Sequence, residues 1–293
     1  MKITHASFII LLIVTGCQFS KSVKKDLVSG LTTKGDLLTC EDVYLTVNDE
    51  RITRNSFVFG EIFTINYNDM QGFARENGNV FPSMEMIVTD HSQDTVFYAD
   101  ELYSKYPEGM KYDPLHLTAD LTVASPIYSN GEYSLTVNIS DRKGSGTYSS
   151  ILKFSVRPND KILTEKRGIA EYSEAYIFSQ GRDNVITDGK IGLDDNIYII
   201  VEGLKGFSEV NGLVFPGLSL KASDSEGNMI LNNADMFVQY TEAGVAASDL
   251  TSRVSSHFSL TGSEFKNPLH TEMVIWDKKS SAKLILSTDL TVE

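Results

Sequence analysis

Two cysteines and one tryptophan in 293 residues cannot support a disulfide framework. Histidine is also scarce. His91, His116, His257 and His270 follow the N-terminal region, and no two of them stand at zinc-ligand spacing. The patterns His-Glu-x-x-His, Gly-x-Ser-x-Gly and the phosphate-cradling glycine loop are absent, so no familiar catalytic signature is present. Basic residues are outnumbered, 26 Lys and Arg against 39 Asp and Glu, for a formal net charge of −13. Such an acidic surface disfavours nucleic acid and anionic lipid as partners. Long apolar runs are missing as well. Phe8–Val14 is far shorter than the ~20 residues that a spanning helix needs.

That short run has a meaning of its own. Lys2 supplies a minimal basic start, and Phe8–Val14 leads into Val14-Thr15-Gly16-Cys17. A branched apolar residue, two small residues and a cysteine at this position resemble the lipobox of bacterial lipoproteins. The resemblance implies a signal peptide over residues 1–16, diacylglyceryl transfer to the Cys17 thiol, and cleavage before it. Two or three acyl chains hold a protein firmly to a bilayer, because each buried methylene contributes about 0.8 kcal/mol. Gln18 follows the cysteine in place of the Asp that favours inner-membrane retention in enteric lipoproteins. An outer-membrane anchor in a cell envelope is therefore expected, with periplasmic and surface display both open. Cleavage would remove only Lys2 from the charge count, leaving 25 Lys and Arg against 39 Asp and Glu, net −14. With Cys17 lipidated, Cys40 stands alone as a small apolar filler.

The strongest internal signal is a repeat. Gly72-Phe73 followed by Asn77-Gly78-Asn79-Val80-Phe81-Pro82 returns as Gly206-Phe207 followed by Asn211-Gly212-Leu213-Val214-Phe215-Pro216. Aligning Ile65–Asp90 on Ile199–Asp224, an offset of 134, gives 9 identities in 26 positions, where chance gives roughly one or two. The chain is a duplicated domain. Residues 17–28 read as a polar tether, 29–157 as the first domain, 158–165 as the linker and 166–293 as the second domain. The linker is short, so the domains are expected to touch or to be stiffly coupled. Within each copy, short alternating segments such as Phe63, Ile65 and Tyr67 are separated by turn residues. Each copy ends in a hairpin that places Val137 and Ile139, or Met273 and Ile275, toward the core. The expected fold is all-β: two tandem β-sandwiches arising from internal duplication. The closing pattern, Gly-Glu-Tyr then alternating apolar residues, an Asp turn and a last strand, resembles immunoglobulin-like and fibronectin type III-like domains. That resemblance implies a fold and no activity.

Several residues are candidates for contacts. The repeated loop reads as a ligand loop or as a fold device shared by both copies. Tyr98 and Tyr112 are aromatic where the second copy is not, as suits a platform for sugar stacking or packing within the domain. Val274 and Trp276 fall on the outer face of the closing hairpin, where the first copy has Asn138 and Ser140. They suggest a contact surface, toward the first domain or toward another molecule. Asp90 and Asp94, Asp194 and Asp195, and Asp224 stand in oxygen-rich loops of the kind that chelate Ca2+. None matches a dedicated calcium loop, and Asp more commonly opens a turn; no cofactor is expected.

The expected function is that of a lipid-anchored, non-enzymatic binding, scaffold or adhesion module with a protein or glycan partner in the envelope. The alternative is a glycan-binding lipoprotein serving a nutrient-uptake complex. A second alternative is a hydrolase with an unrecognised carboxylate site.

Overall fold

The computed structural model describes residues 21–111, 113–262 and 265–293. Alternation decides the layers. In strand Ile62–Gln71, Phe63, Ile65 and Tyr67 share one face and all three are fully buried. In the first domain, Thr32–Asp36, Thr147–Arg157, Glu132–Asp141, Pro82–Asp90 and Thr95–Ala99 pair antiparallel in that order. Ser56–Val58 joins Thr147–Arg157 in parallel. The opposing sheet runs Glu50–Ile52, Thr39–Val47, Ile62–Gln71, Leu115–Thr122. Phe57 and Phe63 stack between the layers with ring centroids 4.0 Å apart, and Phe154 meets both edge-on.

The second domain repeats this order strand for strand. Leu163–Arg167, Lys283–Val292, Leu269–Asp277, Pro216–Ser223 and Met229–Asn233 form one sheet, with Lys190–Ile191 parallel to Lys283–Val292. Asn184–Val185, Glu174–Ser179, Ile197–Glu202 and Val254–Phe258 form the other. Its core is aliphatic, built on Ile199, Val201, Leu218, Leu220, Leu284 and Leu286. The chain is thus all-β, two tandem immunoglobulin-like sandwiches. The closing hairpins keep the expected register: Val137, Ile139, Met273 and Ile275 are all buried.

Two boundaries shift. Lys21–Lys25, inside the stretch read as a tether, pairs with Thr32–Asp36 as an extra edge strand. Leu163–Arg167 begins inside the stretch read as linker and pairs with Lys283–Val292, so the connection shortens to residues 158–162. Leu163–Arg167 is exposed at every position. It has no hydrophobic period to reveal it, and only backbone pairing to a sheet edge makes it a strand. Leu102, Tyr103 and Tyr106, with Met236, Phe237 and Tyr240 in the second copy, have the i, i+1, i+4 spacing of a short helix, yet the first set lies in a run of turns. In the second copy Met236 and Phe237 are also in turns, and helix begins only at Tyr240, as Tyr240–Ala243.

The domains are joined by a built interface. Tyr176, Val185 and Ile200, from one sheet of the second domain, belong to the core cluster of the first. Tyr176 meets Phe59 at 5.5 Å between ring centroids. Buried Glu174 accepts hydrogen bonds from the Ser129 backbone N–H and hydroxyl, each at 2.7 Å. Burial pushes its carboxyl pKa up, while those two bonds oppose the rise. Asn159 donates to the Ile186 carbonyl at 2.8 Å, which locks the connection itself. A constant offset of 134 would set Glu174 on Cys40, but the strand pairing puts it, opposite Glu202, where the first copy has Asp42 opposite Asn68. Cys40 itself is buried and its thiol pKa pushed up to about 12 by desolvation, as an apolar filler would be.

Candidate functional site

The repeated loop is the first place to look, and its geometry explains why both copies keep it. Gly72 and Gly206 have φ of 95° and 88°, and a Cβ on either would overlap the carbonyl of Leu37 or Ile169. Asn77-Gly78 and Asn211-Gly212 all take positive φ, forming a tight turn closed by Glu76 with Asn79 or Val210 with Leu213. The loop is then pinned to the closing hairpin. Buried Asp141 accepts from Ala74 N–H at 2.6 Å and from Lys143 N–H at 2.9 Å. Buried Asp277 does the same with Ser208 at 2.7 Å and Lys279 at 2.9 Å. The Phe81 and Phe215 carbonyls accept from Arg142 and Lys278 N–H, and Lys143 and Lys279 lie over the two rings. Every part has its counterpart, so the loop serves the fold in both domains.

Function is better sought where the copies differ, and the outer face of the larger sheet is one such place. In the first domain this face carries a groove of about 560 Å³. Lys34 and Asp36, Glu85, Tyr98, and Asn138 with Ser140 line it from four strands. Tyr98 is 54% exposed. Its hydroxyl reaches one Glu85 carboxylate oxygen at 3.3 Å, while the Asn138 amide donates to the other at 2.9 Å. Partial desolvation, then the Glu85 charge, pushes the Tyr98 phenol pKa up. Asp100 and Glu101 complete an acidic rim opposed by Lys34. Of this set, the sequence singles out only Tyr98. The others were legible only as outward polar positions of separate strands.

In the second domain the same positions are filled. Asn138, Ser140 and Ser149 give way to Val274, Trp276 and Ile285, while Glu85 gives way to Ser219 and Tyr98 to Asn232. Ser83 becomes Gly217, and a Cβ there would overlap the Trp276 indole. The indole therefore lies flat across the neighbouring strand and is half-buried. Trp276 and Val274 keep the outward register expected of them. The interdomain contact uses the opposite sheet of the domain, so these residues do not face the first domain. Replacing Gly217 with Ala should lift the indole off the sheet. We expect a red shift of the single-tryptophan emission, stronger acrylamide quenching and a stability loss of about 1–3 kcal/mol. Unchanged emission would mean that the indole does not rest on Gly217.

The acidic loops use their oxygens locally. Asp90 accepts from Ser92 and Asp94 N–H at 2.8 and 3.0 Å, and Asp224 from Glu226 and Asn228 N–H at 3.0 and 2.9 Å. The Asp224 pKa is lowered, first by the Asn228 amide. Asp195 holds Gly181 N–H at 2.7 Å and the Ser179 hydroxyl. Its neighbour Asp194 has φ of 60° and donates its N–H to Leu260. Among the described residues no three His, Cys, Asp or Glu side chains gather as metal ligands, and no helix is long and apolar enough to cross a membrane. Cys17 and Tyr112 lie outside the described residues.

No protein-family model matches the chain, and no curated relative matches it. Among solved structures it is similar to pT26-6p, at 8% identity and TM-score 0.24, covering 89% of this chain and 63% of that one. It is similar to the C-terminal domain of the AgI/II polypeptide BspA of Streptococcus agalactiae, at 10% identity and TM-score 0.23, covering 84% and 99%. A DUF3823 family protein from Bacteroides ovatus follows at 10% identity and TM-score 0.20, covering 76% and 93%. At scores this low the fold assignment rests on the chain's own strand order and register.

Proposed function

We propose that the chain is a non-enzymatic binding module, lipid-anchored to a bacterial envelope through Cys17 and offering its ligand surface on the outer sheet of the first domain. The observation that carries this reading is the groove around Tyr98. It is open, polar and pre-arranged, and in the second domain Trp276 occupies the place that Ser140 has beside it. Both Glu85 oxygens are tied by Tyr98 and Asn138, which suits a carboxylate that positions a ligand. The anchor fits this geometry. Lys21 pairs in register with Asp36 at the groove edge, and it follows Cys17 by four residues. At no more than about 3.6 Å per residue, that is roughly 14 Å of chain. The groove would then sit close to the membrane rather than at the end of a long tether.

Cys17→Ser is expected to leave an uncleaved precursor that does not label with palmitate. Palmitate labelling and membrane fractionation identical to the unsubstituted chain would sink the anchor. Turnover of a glycan or peptide by the purified full-length chain would favour a hydrolase over a binding module.

A further inference from the structure

We propose that the groove on the first domain takes a neutral glycan, stacked on Tyr98 and held by Glu85, Asn138 and Ser140. This names the ligand class for the binding-module reading and rests on it.

Size comes first. A groove of about 560 Å³ falls within the usual range of small-ligand sites, which runs from about 300 to 1,000 Å³. The chemistry of the lining is more telling. A sugar ring has a C–H face without charge and a rim of hydroxyls that both donate and accept. The groove matches this with one exposed aromatic face, a carboxylate, an amide and a hydroxyl. Those groups are not loose. Glu85 is held from both sides, so a ligand hydroxyl would meet an acceptor already in place and little ordering would be lost on binding.

Charge narrows the class. Asp36, Glu85, Asp100 and Glu101 face Lys34, so phosphate, sulfate and uronate groups would be repelled. A basic peptide would meet an attractive field, but the four strands below the groove floor spend their backbone groups on one another. An extended peptide cannot add to a sheet through its face. That leaves hydroxyl recognition as the mode the surface serves best.

The second domain acts as an internal comparison. Asn138, Ser140 and Glu85 become Val274, Trp276 and Ser219, and Asn232 replaces Tyr98. The carboxylate, the Asn138 amide and the aromatic platform are lost together, although core, loop clamp and strand order are all kept. This glycan site is therefore expected on the first domain and not on the matching face of the second.

The test applies the full-length chain, purified in detergent, to an array of neutral gluco-, manno-, galacto- and xylo-oligosaccharides beside sulfated and uronate-bearing ones. The best neutral oligosaccharide is then titrated by calorimetry. Tyr98→Ala should weaken binding about tenfold or more, which is 1.4 kcal/mol or more. Tyr98→Phe should stay within about threefold, since the stacking face remains. Trp276→Ala should leave the affinity unchanged. Because Tyr98 is exposed, the thermal midpoint of its variants should not move, and this separates a binding loss from a folding loss. A blank array, binding confined to anionic sugars, or full affinity in Tyr98→Ala would each overturn the assignment. An octalysine peptide is run in parallel. If the array is blank but octalysine binds and Tyr98→Ala abolishes it, the glycan class fails and the binding module survives. If both probes fail, the groove is lost as a binding surface as well.

Discussion

Phe215→Ala is expected to lower the stability of the second domain by about 3–5 kcal/mol, with Phe81→Ala doing the same to the first. Both rings are 9% exposed and stand at the point where the repeated loop enters its strand. Truncation removes the transfer energy of a phenyl ring and leaves a cavity that its surroundings cannot close. The loop on one side is fixed by a turn with two positive-φ residues, and the hairpin on the other by its sheet register. Lys279, whose ammonium lies 4.8 Å from the Phe215 ring centroid, would lose its aromatic partner too. Urea unfolding followed by tryptophan emission reads the second domain alone, because Trp276 is the only tryptophan. Circular dichroism reads both. A loss below about 1 kcal/mol would show that the ring contributes little to the core, and would revive the loop as a ligand site.

Asp277→Ala carries the next largest expected effect, about 2–4 kcal/mol, with Asp141→Ala matching it in the first domain. Asp277 is 3% exposed and accepts from Ser208 N–H, Lys279 N–H and the Ser280 hydroxyl at 2.7, 2.9 and 2.5 Å. The bond from Ser208 ties two segments 69 residues apart. Removing the carboxylate strands donors in a place that water reaches poorly, which costs more than the bonds themselves contribute. Asp277→Asn keeps one acceptor oxygen and should cost less than Ala. Equal losses for Asn and Ala would mean that the charge, rather than the accepting geometry, holds the loop. Hydrogen exchange at Ser208 N–H gives a local readout: protection there should fall in Asp277→Ala even where the domain stays folded.

These two sites also show what the repeat was for. Gly72-Phe73 and Asn77-Gly78 could be matched to Gly206-Phe207 and Asn211-Gly212 by eye, and their turn chemistry was readable because it is local. Their partner could not be seen. Asp141 and Asp277 look like ordinary hairpin-turn residues, and only the folded chain brings Ala74 or Ser208 beneath their carboxylates. The same holds for Glu174. In the sequence it is an acidic residue at the start of an apolar run. In the structure it is the acceptor for Ser129 across the domain boundary.

The candidate site was legible in one residue of its set. Tyr98 could be picked out because an aromatic side chain in one copy stands against Asn232 in the other. Glu85, Asn138 and Ser140 carry no such mark, since an outward polar residue on a strand is what any solvated face provides. The sequence did notice Asn138 and Ser140, but only as the background against which Val274 and Trp276 were unusual.

Duplication, strand periodicity, turn chemistry and the inward register of the closing hairpins were all determined by the sequence itself. The duplication is an identity match at a fixed offset, and the other three depend on residues within a few positions of one another, where the pleat and the turn leave a direct pattern. Strands Lys21–Lys25 and Leu163–Arg167 left none, because an edge strand can form from backbone pairing without burying a side chain. Which sheet of the second domain meets the first was likewise decided only in three dimensions, as was the gathering of Lys34, Glu85, Tyr98 and Asn138 along one groove. Strand order sets those neighbours, and strand order follows from how two sheets close over a shared core rather than from spacing along the chain.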